Sequence, residues 1–286
     1  MRYESPNSLD EAVALLAGAS GEARVLAGGT DLLVQLRGDF IEPEVVVDIK
    51  GIPEMHAIAE EGGGVRVGAA VTGAELNENA LMKSTWPGVT EAVDLIGSVQ
   101  IQGRATMGGN LCNASPAADS VPALIAAGAV ATVVGPNGRR DLAVEEIATG
   151  PGQTSLAKGE IVESLLFPTR APHSGDAYLR FIPRTEMDIA VVGVGVNLTL
   201  DDSGTCVGAR VAVGAVAEVP LLIAAAAEAL IGTTVDADAL ETMDQAVQAA
   251  CRPIDDKRGT KEYRTKVAGV IARRAAETAL ARARSN

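Results

Sequence analysis

The sequence has few of the residues that build catalytic or metal-binding clusters. It contains two isolated histidines, His56 and His173, and three cysteines, Cys112, Cys206 and Cys251, none of which forms a CxxC pair. This spacing argues against an iron–sulfur cluster, a structural zinc or a disulfide scaffold within the chain. We therefore expect no catalytic residue and no metal ligand in this chain, and we expect it to lie in a reducing cytoplasm.

Aromatic residues and long apolar runs are also scarce. Phe, Trp and Tyr make up 2% of the 286 residues, whereas glycine occurs 31 times, so close backbone packing must replace large rings. Charged residues, glycine or proline interrupt every stretch that approaches the length of a membrane span, and the first residues lack an apolar signal core. We expect neither a membrane span nor export.

Positive charge is in short supply, because the formal net charge is −13 at pH 7. Nucleic-acid phosphates require a basic surface, so this balance disfavours DNA and RNA as partners. Residues 257–284 run against the trend and are rich in Lys and Arg. They fit either the solvated face of a helix or a docking surface for an acidic partner.

Hydrophobic periodicity predicts that helices and strands are mixed along the chain. The predicted elements of the first 170 residues are helices over 9–17, from about 31, over 73–79, 86–97 and 119–127, strands over 24–27 and 45–49, hairpins over 57–71 and 129–144, and a strand stopped by Pro168. Residues 169–176 contain two helix breakers and predict a linker. Beyond it, a long hairpin over 188–216 and later helical patterns predict an α+β unit of three strands followed by helices.

The sequence contains two glycine pairs in short motifs. "LAGGTDLL" (26–33) places one pair between a strand and a helix, and "TMGGN" (106–110) places the other between a hydroxyl and an amide side chain. Backbone N–H groups without a neighbouring Cβ bind phosphates well. One such pair is most often only a turn, but two pairs could clamp a pyrophosphate from opposite sides. No GxxxxGK[ST] motif occurs, and "GVG" (193–195) lies in an alternating strand pattern that argues against a dinucleotide fold.

Three segments carry a resemblance to a known family. "AGGTDLLVQLR", "QIQGRATMGGNLCNASPAADSVPAL" and "YLRFIPRTEMDIAVVGVGV" resemble, in this order, the FAD-binding medium subunit of the molybdenum hydroxylases, such as xanthine and carbon monoxide dehydrogenases. The likeness covers the whole chain. It implies an α+β fold with two domains. The first, over 1–170, is a two-lobed FAD-binding domain of the PCMH type, similar to that of vanillyl-alcohol oxidase, with lobes over about 1–57 and 58–170. The second, over 176–286, is a smaller α+β domain with a three-stranded antiparallel sheet and helices.

The resemblance also implies the residues that contact FAD. The first loop matches at Leu26, Ala27, Gly28, Gly29, Thr30, Asp31 and Leu32, the second at Ala105, Thr106, Met107, Gly108, Gly109 and Asn110, and further contacts are implied at Asn113, Ser115, Asp119, Leu166, Tyr178 and Arg180. Segment 184–190 matches a loop close to the flavin. Cys112, inside the second motif, is expected to be a small apolar filler rather than a reactive thiol.

Three of these residues have a second interpretation or a specific role. Asp119 could instead cap the helix that follows it. Arg180 falls where relatives carry a basic residue beside the flavin, and a cation there would stabilise the charge of the reduced ring; the alternative is a surface arginine in a strand. Tyr178 is a candidate for stacking on the ring.

The family resemblance further implies an electron-transfer role. FAD would be held in this chain, [2Fe–2S] clusters in a small partner subunit and molybdopterin in a large one, assembled as a dimer of heterotrimers. Substrate would be hydroxylated at molybdenum, and electrons would pass through the clusters to FAD and on to an acceptor. Two alternatives stay open: a self-contained FAD-dependent oxidase or reductase of the same superfamily, and a structural subunit without cofactor.

Overall fold

The computed structural model describes residues 1–184 and 187–286. Its N-terminal lobe consists of β1 (Arg2–Glu4), α1 (Leu9–Gly18), β2 (Ala23–Leu26), α2 (Leu32–Arg37) and β3 (Val45–Asp48). The three strands form a parallel sheet in which β3 lies between β1 and β2. Because β2 is an edge strand, the first glycine pair, which follows it directly, lies at the border of this lobe.

The second lobe is built on a five-stranded antiparallel sheet. Its strands are β4 (Ile58–Glu61), β5 (Gly64–Gly68), β6 (Val130–Gly135), β7 (Gly138–Ala143) and, after the small hairpin of β8 (Ala148–Gly150) and β9 (Gln153–Thr154), β10 (Ile161–Phe167). The order is β4-β5-β10-β6-β7, so β10 is the central strand. The helices are α3 (Gly73–Glu78), α4 (Ala80–Thr85), α5 (Pro87–Asp94), α6 (Val99–Gln102), α7 (Met107–Cys112) and α8 (Ser120–Ala127).

The C-terminal part packs helices on one antiparallel sheet. Its elements are β11 (Ser174–Phe181), β12 (Val192–Leu200), β13 (Cys206–Gly214), β14 (Leu221–Leu222), α9 (Ala224–Glu228), α10 (Ala237–Ala250) and α11 (Lys261–Ala283). The strand order follows the chain. Small residues let α11 lie directly on the sheet: a Cβ at Gly175 would overlap the Ala279 carbonyl, and Ala272, Ala275 and Ala279 are fully buried. Close backbone packing therefore replaces large rings, as the composition predicted.

The basic C-terminal segment combines both exposed and anchored side chains. Lys266 and Arg274 are exposed on α11, as expected for a solvated helix face. Arg264, in contrast, is buried and pairs with Asp256 at 2.7 Å, and Arg282 pairs with Glu91 of the second lobe. Part of the basic character of this segment therefore serves internal ion pairs.

Most predicted elements are confirmed, and the errors concern short ones. The helix over 9–17, both hairpins of the second lobe and the strand before Pro168 are present. Among the elements that the sequence missed are β1, β14 and α7, which have three, two and six residues, because so short a run shows no clear period. The C-terminal sheet accordingly has four strands rather than three.

Segment 169–176 is fixed in place rather than being a loose linker. The Arg170 guanidinium lies 4.8 Å from the centre of the Trp86 ring and pairs with Asp176 at 2.6 Å. Asp176, at the start of β11, also accepts the Gly88 amide at 2.8 Å. These contacts join segments that are far apart in sequence, so local composition did not reveal them.

No helix within the described ranges is long and apolar enough to cross a membrane.

The C-terminal sheet packs against α8, every residue of which is buried. Gly195 of β12 allows this contact, because a Cβ there would lie 2.5 Å from the Pro122 carbonyl oxygen. Two arginines of the sheet reach the same lobe: Arg210 pairs with Glu145 at 2.8 Å, and Arg180 pairs with Asp119 at 3.1 Å. Backbone contact and ion pairs thus fix the sheet against the second lobe.

Gly195→Ala should therefore destabilise the chain by about 1–3 kcal/mol, because the added methyl group overpacks the α8 contact. Gly208→Ala in β13 is the matched control, since its Cβ would lie 3.7 Å from the Thr199 Cβ, which is ordinary contact. We expect the control to change the free energy of unfolding by less than about 0.5 kcal/mol. Urea titrations measure both, and equal values for the two variants would contradict the close-packing account.

Candidate cofactor site

The two glycine loops line one cavity of about 270 Å³. The first loop connects β2 to α2, and the second leads into α7. Apolar side chains complete the lining, among them Ile96, Leu156, Ile161 and Val162. The cavity therefore combines polar backbone with apolar walls, the mixture typical of a site for a planar organic cofactor.

The first loop presents a run of unpaired amides. The N–H groups of Gly28, Gly29, Thr30 and Asp31 donate no hydrogen bond within residues 1–184 and 187–286. Two carbonyls of the loop, in contrast, accept backbone hydrogen bonds. The Gly29 carbonyl accepts from the Leu33 amide at 3.0 Å, and the Asp31 carbonyl accepts from the amides of Val34 and Gln35. These four successive amides present positive partial charge, which suits a phosphate.

Three of the four loop glycines are required by the protein itself. A Cβ at Gly28 would overlap the Arg104 carbonyl, and one at Gly108 would lie 2.6 Å from the Ala69 oxygen. Gly29 has φ +78°, a conformation that L side chains rarely adopt, and its Cβ would lie 2.8 Å from Leu26 Cδ1. The sequence interpretation that the backbone is bare only for a phosphate is therefore incomplete.

Gly109 is the exception. An added Cβ would meet only Thr106 Oγ1 at 3.0 Å and Ala27 Cβ at 3.9 Å, and the φ of this residue is not in the left-handed range. No backbone atom outside α7 lies within 4 Å of this Cβ, but the Cβ would crowd the Thr106 hydroxyl that caps α7. Gly109 lines the cavity, and glycine there lets a ligand approach the α7 backbone without meeting a side chain.

Side-chain hydrogen bonds hold the second loop in place. Thr106 caps α7 by accepting the Gly109 amide at 2.9 Å. Asn110 Oδ1 accepts from both the amide and the hydroxyl of Ser120, which ties α7 to α8. Gln35 donates to Asn113 at 3.4 Å, so the two loops are also linked through their helices.

Asp119 and Arg180 form a buried ion pair. Their side chains are 14% and 5% exposed, and the Arg180 guanidinium also donates to the Leu95 carbonyl at 2.8 Å. Asp119 makes no side-chain cap to α8, so its interpretation as a helix cap is wrong. Arg180 is not a surface arginine either. Burial raises the pKa of the Asp119 carboxyl to about 6, although the Arg180 guanidinium opposes the rise.

Tyr178 lies on the same face of β11 as Arg180, two residues away, and is buried in the core of the second lobe. Burial raises the pKa of its hydroxyl, which has no hydrogen-bond partner in the described part of the chain. The ring does not line the cavity, so stacking on a flavin stays a prediction.

The structure brings most of the predicted contacts to the cavity. Those that line it are Ala27, Gly28, Gly29, Thr30, Asp31, Leu32, Ala105, Thr106, Gly108, Gly109, Asn110 and Asn113. Leu26 and Met107 are buried, and Ser115, Asp119, Leu166, Tyr178 and Arg180 also lie outside the lining. For these residues an FAD contact stays a prediction. In segment 184–190, Thr185 and Glu186 lie outside the described residues.

Sequence reasoning missed the apolar walls of the cavity. Ile161 and Val162 begin β10, and Ile96 follows α5, so each belongs to an ordinary apolar pattern without a motif. Cys112, considered a small filler, does line the cavity. Burial raises the pKa of its thiol to about 12, so it is a neutral thiol at physiological pH and not a nucleophile.

Comparison with known proteins gives consistent matches over the whole chain. The family profile described as the FAD binding domain in molybdopterin dehydrogenase matches residues 1–170. The profile described as the CO dehydrogenase flavoprotein C-terminal domain matches residues 177–279.

Similar proteins have nearly the same length. The carbon monoxide dehydrogenase medium chain of Afipia carboxidovorans is 35% identical, over 99% of this chain and 98% of the relative. The putative xanthine dehydrogenase FAD-binding subunit of Escherichia coli is 30% identical, over 98% and 96%. A chain of the carbon monoxide dehydrogenase structure from Hydrogenophaga pseudoflava superposes with a TM-score of 0.95 at 34% identity, over 99% of this chain and 98% of that one.

Stability should depend on pH through Asp119. From about pH 4 to 6 the folded state binds a proton that the unfolded chain has lost, so stability falls as the pH rises through this range. From about pH 5 to 7 the loss due to Asp119 is about 1 kcal/mol. Asp119→Asn removes this titration. Between pH 5 and pH 7 the free energy of unfolding of the variant should therefore fall by about 1 kcal/mol less than that of the wild type. Equal falls in urea titrations would contradict the raised pKa.

Proposed function

The chain belongs to the family of FAD-binding subunits of molybdopterin dehydrogenases, and we propose that it is the electron-transfer flavoprotein of a heteromeric molybdenum hydroxylase. FAD, when bound, supplies the ability to accept electrons one at a time and to release them in pairs. The observation that carries the proposal is the run of four amides at residues 28–31, which donate no hydrogen bond within the described part of the chain and line the same cavity as the second glycine pair.

The two glycine loops would hold the pyrophosphate. The free amides of Gly28, Gly29, Thr30 and Asp31 supply donors, and the Thr30 hydroxyl can add one more. Gly109 allows a phosphate or ribityl group to approach α7 without meeting a side chain. Because the turn into α2 already binds the Gly29 and Asp31 carbonyls, this part of the loop is preorganised to present its amides, which favours tight binding.

The apolar walls would enclose the flavin ring. Ile96, Ile161 and Val162 offer flat apolar contact and exclude water from that part of the cavity. The Asp119–Arg180 pair lies next to this wall, because Arg180 binds the carbonyl of Leu95, the residue before Ile96. Since the two charges compensate each other, Arg180 acts on a flavin as one half of an ion pair and not as a free cation.

We propose the division of the chain into an FAD-binding domain over 1–170 and a C-terminal domain over 176–286, which agrees with the two profile matches. The partners would be a small iron–sulfur subunit and a large molybdopterin subunit, arranged as a dimer of heterotrimers in the cytoplasm. The names of the relatives, a medium chain and an FAD-binding subunit, support a complex of several subunits. Substrate oxidation would then take place on another polypeptide.

Gly109→Val should abolish FAD retention, because it places a branched side chain in the cavity lining and crowds the Thr106 hydroxyl that caps α7. Gly18→Val is the matched control: Gly18 ends α1, and no atom lies within 4 Å of its added Cβ. FAD released by heat and measured by absorbance, after desalting, should be stoichiometric in the control and absent in the variant, with both folded by circular dichroism. Full FAD content in the Gly109→Val variant would rule out this placement.

Purification from the native host tests the function itself. The chain should co-purify with two further subunits in a complex that contains FAD, iron and molybdenum, measured by absorbance and elemental analysis. The same chain expressed alone should bind FAD but oxidise no organic substrate. Substrate turnover by the isolated chain, or a native complex without molybdenum, would favour the self-contained flavoenzyme. A chain that never binds FAD would favour the structural subunit.

A further inference from the structure

The Lys50 side chain binds the backbone of the first glycine loop. It follows β3, and its ammonium Nζ donates to the Ala27 carbonyl at 3.2 Å and to Asp48 Oδ1 at 2.6 Å. Its backbone amide donates to the same carboxylate oxygen at 3.0 Å. One side chain thus connects the central strand of the N-terminal sheet to the loop that follows the edge strand β2.

Contacts on both sides of Lys50 make this connection rigid. Asp48 is buried, and its second oxygen accepts the Tyr3 hydroxyl of β1 at 2.5 Å. Although burial opposes it, hydrogen bonds from Lys50 and Tyr3 hold the pKa of Asp48 below its usual value, so the carboxylate stays charged. A ring nitrogen of His56, Nε2, lies 3.0 Å from the Lys50 carbonyl. All three strands of the N-terminal sheet therefore contribute to the position of the Ala27 carbonyl.

The planar peptide bond links the position of the Ala27 carbonyl to the direction of the Gly28 N–H. In a trans peptide the carbonyl of one residue and the N–H of the next point in opposite directions. Ala27 and Gly28 line both the cofactor cavity and a second cavity of about 140 Å³, which Lys50, His56 and Arg104 also line. Lys50 lines the second cavity and binds the Ala27 carbonyl, so the Gly28 N–H points away from Lys50, and Gly28 itself lines the cofactor cavity.

We propose that Lys50 is a positioning residue for FAD: it holds the Ala27 carbonyl so that the Gly28 amide is directed at the pyrophosphate. This inference rests on the proposed function, because it assumes that FAD occupies the first cavity. Lys50 does not line that cavity, and Asp48 compensates its charge, so it acts through the loop and not by direct contact with a phosphate.

Lys50→Met tests the inference in the full-length chain, because methionine keeps an unbranched chain and removes the donor. We expect the FAD dissociation constant, from flavin-fluorescence titration of the apoprotein, to rise about tenfold, the value of one directed charge-assisted hydrogen bond. Lys50→Arg keeps a donor and should restore affinity to within about threefold of wild type. The ³¹P resonances of bound FAD should shift in Lys50→Met and return towards wild type in Lys50→Arg.

Lys158→Met is the matched control, because the Lys158 ammonium also donates to a backbone carbonyl, that of Ala19 at 2.6 Å, and does not line the cofactor cavity. It should leave the dissociation constant and the ³¹P resonances unchanged. If Lys50→Met fails to fold because Asp48 is left without its cation, the double variant Asp48→Asn, Lys50→Met removes both charges and is measured instead. Wild-type affinity with unshifted ³¹P resonances would overturn the role of Lys50 and leave the proposed function intact. A wild-type chain that binds no FAD would overturn the proposed function.

Discussion

The close approach of two backbone segments at Gly28 is the constraint on which the rest of the site depends. A side chain at this position would overlap the Arg104 carbonyl, so the first loop meets the segment before the second loop only because Gly28 has no Cβ. This contact places both loops on one cavity. Lys50 and the turn into α2 bind the carbonyls of Ala27, Gly29 and Asp31, whereas the four amides of residues 28–31 donate no hydrogen bond within the described part of the chain. The phosphate-binding character of the site therefore follows from internal packing and does not require a basic side chain in contact with the ligand.

The same reliance on small residues extends through the molecule. Gly175, Gly195 and the alanines of α11 bring helices and strands together at distances that aromatic side chains would prevent. Dispersion contacts between closely packed backbones then replace the large buried areas of aromatic rings. Arg180, Arg210 and Arg282 complete the junction by pairing with carboxylates of the second lobe. A rigid junction of this kind suits a chain that must hold a redox cofactor at a fixed distance from a partner subunit.

Motifs with a local physical meaning could be predicted from the sequence. The family and the fold class were identified correctly, because three sequence segments match the family in the right order, and both glycine loops of these segments line one cavity. The reason for Gly28 and Gly108 could not be predicted, since Arg104 and Ala69 approach them only in the folded chain. For the same reason the sequence left Asp119 and Arg180 each with two interpretations, whereas they are one ion pair between residues 61 positions apart. Ile161 and Val162 carry no motif, and only the sheet order shows that the start of β10 reaches the cavity.

The central claim is that FAD lies in the cavity between the two glycine loops. A crystal structure of the full chain with bound FAD tests this claim most directly. Our account predicts pyrophosphate oxygens about 2.7–3.2 Å from amide nitrogens of Gly28–Asp31, a cofactor atom in van der Waals contact with Gly109, and the flavin ring against Ile96 and Val162. FAD bound at another surface, or a pyrophosphate that contacts neither loop, would contradict it.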